Sequence, residues 1–341
     1  MSQKTSALSH YRFTFVLTAI ILVVATLLGG PRVILPISVL ALIEVTFSFD
    51  NAVLNSQVLG TMNRFWQKMF LTIGIALAVF GVRLILPLVL VATTAHHGLG
   101  SVLDLALHHP DQYAAELESA YPLIASFGGV FLLMIGLRFF GEKKDVVWLN
   151  TIEGPLSEFN QPWWISISGA MAAIVVMYTV LAPGDMRVMT AGALGAGAFL
   201  LVKLAGELLI GSHGDKPRFK EGSHQHGLMQ FLYLELLDAS FSFDGVIAAF
   251  AITKEVLLIA VGLGIGAMYV RSMTMHLLER QTLAHYRYLI HGAHYAILAL
   301  SLLLLASIKH PIPDMVTGIL GLLIIGSAFE SSRQHNKKAM N

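Results

Sequence analysis

Apolar runs long enough to cross a bilayer follow one another almost from end to end of this chain, for example "FTFVLTAIILVVATLLGG" at 13–30 and "AILALSLLLLAS" at 296–307. A hydrocarbon core about 30 Å thick takes roughly 20 apolar residues as a helix. Inside it every backbone polar group must be satisfied within the segment, which leaves helices as the natural solution for runs of this kind. With 55% hydrophobic and 13% charged residues in 341, and a mean hydropathy of +0.70, the fold class reads as an all-α polytopic membrane protein. Ten spans are expected, at about 14–30, 34–58, 70–92, 122–140, 163–182, 189–211, 228–251, 255–279, 288–308 and 314–330.

The net charge of +1 and the scattering of basic residues over short loops exclude a nucleic-acid partner. No cysteine is present, so thiolate metal sites, disulfides and cysteine nucleophiles are ruled out. The first apolar run follows Lys4 and Arg12 but has no clear cleavage motif, so a retained helix is expected in preference to a signal peptide. With the N-terminus inside, fifteen Lys and Arg fall on the inner side. Only Arg32, Arg187, Lys254 and Lys309 fall outside, while Arg83, Lys203 and Arg271 lie in spans. Cytoplasmic loops keep the positive charge. This bias places both termini in the cytoplasm of a cell (inner) membrane, 93–121 in an outer loop, and 141–162 and 212–227 in inner loops.

A repeat divides the chain. "EVTFSFDNAV" at 44–53 returns as "DASFSFDGVI" at 238–247, with an acid six residues ahead of each FSFD aspartate, and "FGVRLILPLVL" around Arg83 is echoed by "MYVRSMTMHLL" around Arg271. The copies are five spans apart, so they cross in opposite directions. Such inverted repeats place substrate sites near the midplane of many secondary transporters. The expected organisation is an N-terminal helix (1–33), a first repeat (34–140), a connection with two linking helices (141–227), a second, inverted repeat (228–308) and a C-terminal helix with a tail (309–341).

Ionised carboxylates at mid-membrane cost about 2.5 to 3.5 kcal/mol each, so Glu44, Asp50, Asp238 and Asp244 need neutralising. On an ideal helix Glu44, Ser48, Asn51 and Asn55 share one stripe while Thr46, Asp50 and Gln57 share another; in the second copy Glu235, Asp238 and Ser242 align, as do Ser240 and Asp244. Either the helix is central in the bundle or the FSFD turn is unwound. Carboxylate, hydroxyl and amide oxygens suit hard divalent cations. The plainer reading is ion pairing with Arg83 and Arg271, and protonated acids are a third state, which also fits proton exchange. His291 and His294, in "HGAHY", are equally open as ligands, a proton relay or a hydrogen-bonded pair. Lys203 and Glu207 are expected to pair with each other. The glycine runs "GALGAGA" and "GLGIGAM" read as close helix packing. No nucleotide, Ser-His-Asp or HExxH signature is present, and no enzyme is expected.

"EVTFSFDNAV", its second copy and "HGAHYAI" resemble the TerC family of integral membrane proteins, in particular its branch long labelled a domain of unknown function, over about residues 34–330. TerC relatives are linked to tellurium resistance, and several are regarded as manganese exporters, within a wider group of cation and amino-acid exporters built from two inverted three-helix repeats. By that resemblance Glu44, Asp50, Asn51, Asp238 and Asp244 are the metal positions, with Ser48, Ser242, Glu235, Arg83, Arg271, His291 and His294 as accessory positions. Gly245 stands where the first copy has Asn51, which makes the expected site asymmetric. The expected function is export of a divalent cation, Mn(II) first and Ca(II) or Mg(II) as alternatives, in exchange for protons. The cation is a substrate and no tightly bound cofactor is expected. A proton-coupled transporter of another solute, or a non-transporting membrane scaffold for stress response, is the competing reading. Beyond the cation and the lipid bilayer, the sequence allows a homo-oligomer without specifying one.

Overall fold

The computed structural model describes residues 7–158, 162–210, 224–250, 252–280 and 282–340; within its helices the side chains of 240–244 and several others lie outside what is described. The chain is 87% helical, with no strand among the described residues. Among the described residues seven helices are long and apolar enough to cross a membrane, and eight if one bent pair counts as a span. Eight of the ten expected spans coincide with these, and the other two, 228–251 and 314–330, are also helical.

In chain order the helices are α1 (Ala7–Gly29), α2 (Ile34–Phe47), α3 (Phe49–Leu59), α4 (Arg64–Met69), α5 (Leu86–Thr94), α6 (Leu99–His108), α7 (Pro110–Gly141), α8 (Asn150–Glu158), α9 (Pro162–Val176), α10 (Met186–Ile210), α11 (His224–Ala249), α12 (Val256–Glu279), α13 (Thr282–His285), α14 (Leu289–Ser307) and α15 (Asp314–Met340). Between α4 and α5 the helix continues through two π-helical segments, Phe70–Gly74 and Leu77–Ile85. A third π turn, Met177–Leu181, ends the helix that α9 begins.

The chain folds into two compact units. One comprises 1–60, 64–120 and 241–281, the other 61–63, 121–240 and 282–341. In the first unit α12 is central, packed by α1, α2, α3 and the Leu77–Ile85 segment. Its "GLGIGAM" run makes that possible. A Cβ at Gly262 would stand 2.6 Å from Leu40 Cβ, and one at Gly266 would stand 2.4 Å from Glu44 Cβ, so only glycine lets α2 approach this closely. Val33, Ile37, Ile265 and Met268 form the core here, and Thr14 on α1 shares a buried 2.7 Å hydrogen bond with Ser272 on α12. Gly30, at φ 78°, adopts the left-handed conformation that turns the chain from α1 into α2 ahead of Pro31.

In the second unit α14 packs along α15, where a Cβ at Gly292 would reach 2.5 Å from that of Ala328. The "GALGAGA" run lets α10 lie against α7: a Cβ at Gly195 would stand 2.2 Å from the Phe127 carbonyl oxygen, and Ser126 Oγ donates to the Val188 carbonyl at 2.7 Å.

Two expected loops are structured. Residues 93–121 contain α6 and the first turns of α7, because Val102 and Ala106, four apart, bury one face of an amphipathic helix. In the 141–162 connection, α8 forms around Glu153, which is fully buried.

Candidate cation site on a bent membrane helix

The first FSFD motif is where the apolar span breaks. α2 and α3 meet at Ser48, whose φ −96° and ψ 23° leave the helical region, and their axes differ by 56°. The break gathers polar groups at two helix ends. Glu44 lies in the last turn of α2, where the Ser48 hydroxyl donates to its Oε1 at 2.9 Å. Asp50 lies in the first turn of α3 and accepts the Asn51 backbone N–H at 2.9 Å, an end of a helix whose dipole favours negative charge. Asn51 and Asn55 are on the next turns, each 1% exposed.

Glu44 is not bare. Its Oε1 is 2.5 Å from Arg83 Nη2, and both side chains are buried. Arg83 comes from the π-helical segment Leu77–Ile85, and its Nη1 donates to the Ala78 carbonyl at 2.9 Å, five residues back along the same wide turns. The ion-pairing alternative raised by the sequence therefore holds for Glu44. Arg271 donates to the Phe70 carbonyl at 2.9 Å and stacks its guanidinium on the Phe70 ring at 3.9 Å. Both repeat-related arginines thus bind carbonyls of the π-helical stretch, where i→i+5 geometry makes such distortions and functional sites coincide often.

The two repeats meet at this carboxylate. An added Cβ at Gly245 would lie 3.4 Å from Glu44 Oε2, so the backbone beside the second FSFD motif runs against the first copy's acid. A larger side chain at that position, such as the asparagine of the first copy, would fill the space there. α11 continues through its FSFD residues without the break seen at Ser48. Asp244 and Ser242 are on α11, and their side chains lie outside the described residues. Asp238, buried at 5% exposure, and half-buried Glu235 are on the part of α11 that belongs to the second unit.

What the bend can do chemically follows from its donors. Asp50 supplies a buried carboxylate, Asn51 and Asn55 supply amides, and Asn55 Oδ1 is buried with no hydrogen-bond partner. A buried carbonyl oxygen left unmade costs on the order of 1 to 3 kcal/mol. All of these donors are hard oxygens, which suit an alkaline-earth or Mn(II) ion. Among the described residues no three His, Asp or Glu groups converge as a metal site built from them alone would require; the histidines of the HGAHY segment are His291 and His294. Those histidines belong to the second unit: His294 Nδ1 is 2.9 Å from the Ile290 carbonyl and its ring stacks on Phe139 at 3.7 Å, while His291 faces Glu153. Glu153 was missed in the sequence because it sits in an apparent loop, although the Asn-x-x-Glu spacing of "NTIE" is a helix-start signal. Lys203 lies over the Trp163 ring at 5.0 Å; the side chain of Glu207, its expected partner, lies outside the described residues.

Residues 49–339 match a family described as a protein of unknown function, DUF475. The chain belongs to the DUF475 family. No curated protein and no solved structure matches it. The match covers Phe49 and Asp50 of the first FSFD motif, the whole of the second, both arginines and the HGAHY segment, while Glu44 and Ser48 precede it.

Proposed function

We propose that this DUF475 protein is a secondary transporter that exports a divalent cation, Mn(II) in the first place, in exchange for protons. The observation that carries this reading is the break at Ser48, which puts Glu44, Asp50, Asn51 and the orphaned oxygen of Asn55 inside an otherwise apolar span. Interrupted helices with buried oxygen donors are how transporters build midplane ion sites. The resemblance to TerC proteins, the inverted repeat and the charge bias that puts both termini in the cytoplasm support the same reading.

In this proposal Arg83 is the resident counter-charge of Glu44. A divalent ion reaching Asp50 and the amides also draws on Glu44, and the guanidinium withdraws along the π-helical turns that already accept its second hydrogen bond. When the ion leaves, Arg83 returns, so Glu44 is never a bare charge in a low-dielectric interior, where an unpaired ion is strongly disfavoured. Asp244 is the second-repeat contribution.

The test is Mn(II) flux in proteoliposomes. Asp50→Asn and Asp244→Asn are each expected to lower flux by at least tenfold with the protein still folded. Flux equal to wild type in both would remove these residues from transport. A competition series with Ca(II), Mg(II) and Zn(II) separates the reading from a calcium transporter of the same fold, and a cation-independent proton leak would sink both.

A further inference from the structure

The second unit holds a cluster of ionisable side chains that the cation site does not use. Glu153, on the short α8, has no exposed surface. Its carboxylate reaches back to the backbone N–H groups of Trp148 at 3.3 Å and Leu149 at 3.5 Å, and its Oε2 lies 2.8 Å from His291 Nδ1 on α14. The imidazole and the Tyr295 hydroxyl both reach the Glu153 carboxylate, and Lys144 Nζ is buried beside them with no hydrogen-bond partner among the described residues. Lys144 Nζ stands over the Phe139 ring at 4.0 Å, the same ring on which His294 stacks and which His291 meets edge-on at 5.2 Å. Buried polar atoms are satisfied in the great majority of cases, and here one buried carboxylate is shared by an imidazole and a phenol next to a buried ammonium.

We propose that Glu153 and His291 form a proton-binding site, loaded and unloaded through water, between the 142–158 connection and the start of α14. With Nδ1–H directed at the carboxylate, the lone pair of the neutral ring is on Nε2. A hydronium ion transfers its proton to Nε2, leaving a water molecule and an imidazolium beside the Glu153 carboxylate; release transfers a proton back to water and regenerates hydronium, so charge and atoms balance. The carboxylate favours loading. Lys144 opposes it with its positive charge, and His294, one turn along, adds no charge while neutral. Glu142 is held by Arg138 at 3.2 Å and favours loading weakly, while Tyr295 reaches the Glu153 carboxylate and Tyr288 meets the His291 ring edge-on. The site's use as the proton side of a cation exchange rests on the transport reading above; proton binding itself does not.

Trp148 is a built-in reporter, since its backbone N–H bonds Glu153 and its ring packs edge-on to Tyr295 at 5.6 Å. In purified protein carrying Trp66→Phe, Trp163→Phe and Trp164→Phe, Trp148 emission is expected to change in a single one-proton step between about pH 5 and 8, the range in which an imidazole titrates. His291→Gln should abolish the step. Glu153→Gln should weaken proton affinity by at least tenfold, moving the step down by a unit or more, while Tyr295→Phe should retain it. No step in the parent protein, or an unchanged step in Glu153→Gln, overturns the proposal. If His291→Gln does not fold, the Glu153→Gln shift decides. Because emission is read and not flux, this experiment can succeed while the transport assay fails, and the converse.

Discussion

The two FSFD motifs carry the same four residues and adopt different backbones. The first breaks at Ser48 with a 56° bend; the second lies inside the uninterrupted helix α11. The arginines that follow them are both buried: Arg83 pairs with Glu44, and Arg271 donates to a backbone carbonyl and stacks on an aromatic ring. The difference between the two motif backbones teaches that repetition in sequence fixes where polar groups sit along a helix, while the local chain decides whether the helix opens. In the first copy Ser48 supplies a hydroxyl to Glu44 one turn back, and the glycines of α12 leave room for α2 to pack close beside it.

Arg83 is the sharpest place to break that comparison. Arg83→Met leaves Glu44 buried and uncompensated, and removing one partner of a buried pair costs about 3 to 5 kcal/mol; thermal unfolding in detergent should show a large drop, with the Glu44→Gln, Arg83→Met double variant recovering most of it. A double variant that recovers no more stability than either single change would deny the coupling of Glu44 and Arg83.

Glycine substitutions give the next effect. Gly266→Ala forces a methyl to 2.4 Å from Glu44 Cβ, and overpacking of this kind costs about 1 to 3 kcal/mol. Gly245→Ala meets Glu44 Oε2 only at an ordinary 3.4 Å and should unfold within about 0.5 kcal/mol of wild type. Gly245→Asn, which restores the first copy's residue, then sharpens the comparison: an altered Mn(II) competition profile with unchanged stability would show that the gap beside Glu44 sets cation preference.

The smallest expected effect is electrostatic and lies in the other unit. Burial alone raises the pKa of Glu153, but the hydrogen bond and charge of His291 and the N–H groups of Trp148 and Leu149 outweigh it and hold the carboxyl below its ordinary value. A depressed carboxylate stabilises the fold fully above its unfolded pKa of about 4.3 and loses that contribution as pH falls through the folded value. Melting temperatures of wild type and Glu153→Gln should therefore converge on acidification below about pH 4 and differ at neutral pH; a constant difference would deny the linkage.

Much of this was legible in the residues. Apolar run lengths disclosed the helices, and the "GLGIGAM" glycines disclosed close packing of α12, while the choice of α2 as its partner depends on the tertiary arrangement. Ion pairing of Glu44 with Arg83 was one of three readings the sequence left open, and the spatial arrangement shows the pair. An unwound FSFD turn was one of two alternatives for the first copy, and the sequence could not choose between them because a break depends on what the neighbouring helix allows. Glu153 stayed hidden for a different reason: an acid in a polar, apparently inner-side loop looks solvated, and its burial is created by α14, more than a hundred residues further along.

The wide turns between Leu77 and Ile85 amount to spare chain wound into a helix. Excising one residue there would let the segment close into ordinary α geometry, and Arg83 would lose the five-residue placement from which its Nη1 reaches the Ala78 carbonyl. The irregular winding thus holds the guanidinium through Nη1 while Nη2 meets Glu44, and length in this stretch is as much a determinant of the site as residue identity.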